Sequence, residues 1–72
     1  MQIFTVVHHE RPLAVVRARH PDDAIETARE LAWYEARQRI TDDDFGTREP
    51  DDAEMVGWLE RRDDYLIEKV FA

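Results

Sequence analysis

A single domain of 72 residues with a formal charge of −7, from 17 acidic against 10 basic residues, repels phosphate backbones and argues against direct nucleic-acid binding. With 43% hydrophobic residues, among them two Trp, two Tyr and three Phe, it is supplied for a folded if thin core rather than for a disordered acidic tail. Cysteine, serine and asparagine are all missing, which removes disulfides, thiolate metal sites, Cys and Ser nucleophiles and N-glycosylation acceptors.

Residues 2–8 and 13–19 are rich in β-branched side chains and lack glycine. The polar break His9-Glu10-Arg11-Pro12 between them predicts an antiparallel hairpin with a short loop. Phe4 and Val6 share one face of the first strand. On the second, Val16 and Ala18 are expected inward, because they lead into the helix that packs on that face, with Leu13 and Val15 opposite.

Pro21-Asp22-Asp23-Ala24 then opens a helix. Proline suits the first helical position, and two aspartates in the first turn complement the helix dipole by roughly 0.3–1 kcal/mol each. Ala24, Ala28, Ala32 and Ala36 form a ridge at i, i+4 spacing that lets the helix lie close on a sheet, flanked by Ile25 and Leu31. Trp33 and Tyr34 fall on opposite flanks of that ridge, so one face cannot bury both, and the exposed one is a candidate anchor for a partner.

The stretch 40–49 reads as a loop pinned at Phe45-Gly46. Pro50-Asp51-Asp52-Ala53 repeats the earlier tetrapeptide and restarts a helix, with Met55, Val56 and Leu59 on one side and Trp58 beside them. Gly57 costs that helix about 1 kcal/mol relative to alanine, and the polar block 60–64 ends it. Residues 65–71 are compatible with a strand or a helical stripe. A two-stranded hairpin is marginal alone, which favours the strand. The expected fold is therefore a small α+β domain of ββααβ order, with ββαα as the alternative.

Chemistry finds little purchase. His8 and His9, adjacent on a strand, are expected to point to opposite faces and so not to share a metal. His20 ends the paired strand on the face of Val16 and Ala18, where a suitable hairpin register would bring it near His8 or His9, with Asp22 or Asp23 as an oxygen ligand. The expected role is instead the helix N-cap region, with His8 and His9 solvated around the turn, and no metal site or cofactor is expected. Asp42-Asp43-Asp44-Phe45-Gly46 hints at a calcium loop but lacks the required oxygen and glutamate spacing. Carboxylates at turns and helix starts stay solvated, and the only glycines, Gly46 and Gly57, make no phosphate-cradling loop, so an enzyme is not expected.

What remains is an acidic surface. Every aspartate stands in a run, and electrostatic steering would bring such a surface to a lysine- and arginine-rich groove. The candidate partner-binding residues are Asp42, Asp43, Asp44, Asp51 and Asp52, with Trp33 or Tyr34 as the apolar anchor. In size and charge the chain is similar to small acidic inhibitors encoded by phages and mobile elements, including some anti-CRISPR proteins; the likeness is one of profile and no motif carries it. The expected function is a non-enzymatic module that docks on a basic, nucleic-acid-handling protein. The alternative is a self-assembling homodimer whose acidity serves solubility. Met1-Gln2-Ile3-Phe4 has no basic n-region and no stretch approaches the roughly 20 apolar residues of a membrane span, so a cytoplasmic protein is expected.

Overall fold

The computed structural model describes residues 1–67. Six elements follow in the order β-β-α-β-α-β: β1 (Gln2–His8), β2 (Arg11–Ala18), α1 (Pro21–Ala36), β3 (Phe45–Arg48), α2 (Asp52–Arg61) and β4 (Tyr65–Leu66). They form a small α+β domain around one four-stranded antiparallel sheet, ordered β3-β1-β2-β4. Among the described residues no helix is long and apolar enough to cross a membrane.

The expected hairpin is present, with a tighter turn. Only His9 and Glu10 connect the strands, with φ of 49° and 63°. Both sit in the left-handed region that two-residue hairpin turns require, here without the usual Gly or Asn. The four-residue break predicted at 9–12 is thus a two-residue turn, and Arg11 and Pro12 belong to β2. Pro12 lacks the N–H of a ladder residue, and the register shifts there: Val6 pairs with Ala14 but Val7 with Pro12. The extra residue, Leu13, becomes fully buried.

The expected ββααβ order gains a strand. Phe45–Arg48, read from sequence as loop, pairs antiparallel with β1 from Thr5↔Arg48 to His8↔Phe45. Four residues containing a glycine carry almost no periodic signal, so this strand exists because β1 offers it an edge. At the C-terminal side, Tyr65 and Leu66 pair with Val15 and Ala14, as the strand reading requires. The rest of the 65–71 segment, beyond Ile67, lies outside the described residues.

Each face of the sheet carries one helix. Phe4, Val6, Ala14, Val16 and Ala18 form the face beneath α1, whose Ala24, Ala28 and Ala32 are fully buried. Val16 and Ala18 face inward as expected, and the alanine ridge holds through Ala32, with Ala36 half-buried. Leu13, expected on the opposite face, joins this core because of the register shift at Pro12. Thr5 and Val15 alternate with those residues, face the other way and are also fully buried, because α2 lies over them. That second cover explains why Leu13 to Val16 is an unbroken buried run rather than an alternating one.

Here the structure departs from the expected packing of α2. Its buried residue is Glu54, whereas Val56 and Leu59 are about half exposed, at 52% and 55%. Glu54 Oε1 accepts from Thr5 Oγ1 at 2.9 Å, from the Asp51 amide at 2.8 Å and from Arg48 at 2.7 Å, while Oε2 accepts from Arg48 at 2.9 Å. Burial alone would raise the Glu54 pKa, but the hydrogen bonds from Arg48, the Asp51 amide and Thr5 outweigh it and hold the carboxyl below its ordinary value. Satisfying this carboxylate fixes the rotation of α2 and turns part of its apolar side outward.

Candidate functional site

The strongest concentration of chemistry lies where the β1–β2 turn meets the segment leading into β3. The strand pattern ends at His8, and the left-handed φ of His9 swings its side chain round to the same side. The two imidazoles therefore stack, with centroids 4.0 Å apart and planes 21° apart. This corrects the expectation that they point to opposite faces: alternation holds only within a strand, and the turn cancels it.

Both rings address one carboxylate. His8 Nε2 is 2.9 Å from Asp42 Oδ1, and His9 Nε2 is 3.5 Å from Asp42 Oδ2 and 3.7 Å from Asp44 Oδ2. The ligand atoms of His8, His9 and Asp42 all lie within 4.8 Å of one another. The Asp44 amide donates to Asp42 Oδ1 at 3.0 Å; that bond and the His8 contact hold the Asp42 carboxyl below its ordinary value. His20 is not part of this group. The register Gln2↔Ala18 and His8↔Arg11 puts it at the other end of the hairpin, where its Nδ1 accepts from the Asp22 amide at 3.2 Å and caps α1.

A residue not singled out from sequence holds this corner together. Arg29, the one basic residue of α1, donates to the Ile40 carbonyl at 2.6 Å, to the Asp42 carbonyl at 3.2 Å and to the Asp43 carboxylate at 3.3 Å. Its guanidinium sits 4.8 Å from the Phe45 ring centroid, and Phe45 in turn lies 4.8 Å from His8. His9 stacks on His8, His8 meets Phe45 at a 40° tilt, and Arg29 lies over Phe45, so the four side chains are in successive contact. The signal was present in principle: Arg29 is a lone arginine next to Ala28 of the alanine ridge, and its nearest acidic neighbour on the helix face, Glu26, is exposed.

The predicted partner-binding residues do not form one surface. Asp43 is almost fully exposed at 97% and Asp44 is exposed at 72%, but Asp42 is engaged by the histidines. Asp51 is the N-cap of α2, accepting from the Glu54 amide at 2.7 Å, and Asp52 lies in the same first turn. Those two belong with α2 on the opposite side of the sheet from Asp43. Meanwhile Asp22, Glu26 and Asp43 line one open cleft with an apolar floor of Ile25 and Phe45, and Arg29 spans it, 3.7 Å from Glu26 and 3.3 Å from Asp43.

Trp33 and Tyr34 are both exposed, at 38% and 70%. The guanidinium groups of Arg39 and Arg37 lie 5.0 and 5.9 Å from the Trp33 ring, so Tyr34 is the more open of the pair. They border a shallow groove with Glu30, Gln38, Arg39 and Ile40, and Arg29 lines both this groove and the acidic cleft.

No family model, no curated protein and no solved structure matches this chain.

Proposed function

We propose that the protein is a non-enzymatic, cytoplasmic docking module that binds a basic, nucleic-acid-handling protein and inhibits or regulates it, in the manner of small inhibitors from phages or mobile elements. The observation that carries this reading is the convergence of Asp22, Glu26 and Asp43, from two separate segments, on one cleft with an apolar floor. Carboxylates gathered on one cleft complement lysine and arginine, and Ile25 and Phe45 in the same lining offer the aliphatic stems something to pack on. Exposed Asp44 follows Asp43 in the chain, and Tyr34 lines the neighbouring groove that shares Arg29 with the cleft. Asp51 and Asp52 contribute only to the long-range field.

The test is capture of partners from the native host's lysate on the tagged chain, eluted by a salt gradient, beside a triple reversal Asp22→Lys, Asp43→Lys, Asp44→Lys. A basic nucleic-acid-binding protein retained by the wild type and lost from the reversed chain is the expected result. Retention of the same protein by both chains would remove the acidic cleft as the docking surface.

A second reading, self-assembly, is favoured by two features of the surface. β3 is an outermost strand of the sheet, and Val56 and Leu59 are exposed on α2. Sedimentation in high salt separates the two: a persistent dimer supports assembly through apolar or main-chain contacts, and a monomer leaves the docking reading alone.

A further inference from the structure

The His8–His9–Asp42 corner has more order than a hydrogen-bonded pair needs. A single His8–Asp42 contact at 2.9 Å would satisfy both groups. Instead a second imidazole is stacked on the first at 4.0 Å with its Nε2 directed at the other oxygen of the same carboxylate. At 3.5 Å that contact is too long for a good hydrogen bond, as is the 3.7 Å from His9 to Asp44.

We propose that His8 Nε2, His9 Nε2 and Asp42 form a binding site for a zinc-class divalent cation, with Asp44 as the carboxylate that closes the fourth position. Zinc bonds of about 2.0–2.1 Å in a tetrahedron place neighbouring ligand atoms about 3.3 Å apart. The imidazole-to-carboxylate separations, 2.9 and 3.5 Å to the two oxygens of Asp42 and 3.7 Å to Asp44, fall on either side of that edge. Three of the ligand atoms already lie within 4.8 Å of each other; Asp44 meets this group through His9 at 3.7 Å, and closing the fourth position requires its exposed side chain to turn inward. Two neutral imidazoles and two carboxylates supply the charge a divalent ion requires. Nitrogen donors select zinc, cobalt or nickel over magnesium and calcium, which take oxygen.

The supporting contacts suit ligands held for a metal. The Asp44 amide orients Asp42, Arg29 fixes the Asp42 carbonyl, and Phe45 backs the His8 ring. An ion here would clip the β1–β2 turn to the segment before β3, tying together two parts of the chain 34 residues apart. The proposal does not depend on the docking reading: His8, His9 and Asp42 lie outside that cleft, and Asp44 is the one ligand the two readings share.

The experiment is calorimetric titration of the full chain with ZnCl₂, paired with the visible spectrum of the Co²⁺ form and with thermal melts. The expected result is one ion per chain, tetrahedral cobalt absorption, and a melting midpoint raised by on the order of 10 °C at a hundredfold excess over Kd. His9→Ala, at an exposed position, should keep the fold by circular dichroism and weaken zinc binding by roughly 100-fold, as should His8→Gln. His20→Ala, which removes only the cap of α1, should leave the zinc affinity unchanged. Absence of saturable uptake by the wild type overturns the site. Undiminished affinity in both His8→Gln and His9→Ala does so too, as does equally tight binding of Mg²⁺.

Discussion

The chain contains Pro-Asp-Asp-Ala twice, at 21–24 and 50–53, and uses it differently each time. In the first copy Pro21 is the first residue of α1 and His20 is the cap before it. In the second, Pro50 stays outside, Asp51 is the cap, and α2 begins at Asp52. The difference follows from the residue three places after the first aspartate. Ile25 has no group to return to the backbone, whereas Glu54 accepts from the Asp51 amide at 2.8 Å and completes a capping box. What each helix buries differs in the same way. α1 lays a dry row of alanines on the sheet, and α2 encloses a charged glutamate bound to Thr5 and Arg48. A local signal for a helix start therefore does not say which residue caps it or which face turns inward.

Removing Glu54 strikes hardest at the contrast. Glu54→Ala leaves Thr5, the Asp51 amide and Arg48 without their shared acceptor and should cost about 2–3 kcal/mol, the Arg48 share being reduced because that side chain is 42% exposed. For a domain of this size the melting midpoint would fall by roughly 10 °C or more. The pH dependence carries the same information. Because the folded-state pKa of Glu54 lies below its ordinary value of 4.5, its ionised form favours the fold. That contribution is complete above the ordinary value and is lost as pH falls through the lower, folded one. Urea midpoints measured from neutral to acid pH should therefore drop in the wild type and drop less in Glu54→Gln. An equal drop would move the acid sensitivity to other carboxylates, Asp42 first.

Gly57 offers the next test. Judged as helix alone, Gly57→Ala gains about 1 kcal/mol. In the fold a β-carbon there would lie 2.4 Å from the Tyr65 hydroxyl, which donates to the Glu54 carbonyl at 2.9 Å. Overpacking of about 1–3 kcal/mol should outweigh the propensity gain, giving net destabilisation in chemical denaturation. A more stable Gly57→Ala protein would mean that Tyr65 swings away at little cost.

The smallest effect compares the two aspartates at the same place in the repeat. Asp51→Ala removes an N-cap and should cost about 1 kcal/mol. Asp22→Ala removes only a favourable charge in the first turn, worth a few tenths of a kcal/mol at an exposed site. Equal losses in parallel melts would show that the two copies are capped alike after all.

Much of the architecture was legible because it rests on short-range physics. The hairpin strands declared themselves by β-branched runs, and α1 by its proline, its first-turn aspartates and a ridge of alanines four apart. The start of α2 was found to within its cap. Of the partner-binding aspartates, exposure of Asp43 and Asp44 agrees with a surface role, but which carboxylates share a face was not readable: Asp22 and Glu26 join Asp43, and Asp51 and Asp52 do not. The His8–His9–Asp42 cluster was hidden for a similar reason, since alternation along a strand says nothing of a left-handed turn residue.

By itself, then, the sequence determined most element types, the acidic balance and the helix starts to within a residue or two, because propensity, capping and dipole effects act over a few residues. The tertiary structure decided the rest. β3 forms because β1 presents a free edge, α2 rotates to satisfy a buried carboxylate, and Asp42 meets two histidines only because Arg29 and Phe45 hold the intervening segment against the sheet. Each of those outcomes depends on groups more than ten residues apart, and no local pattern encodes a distance between them.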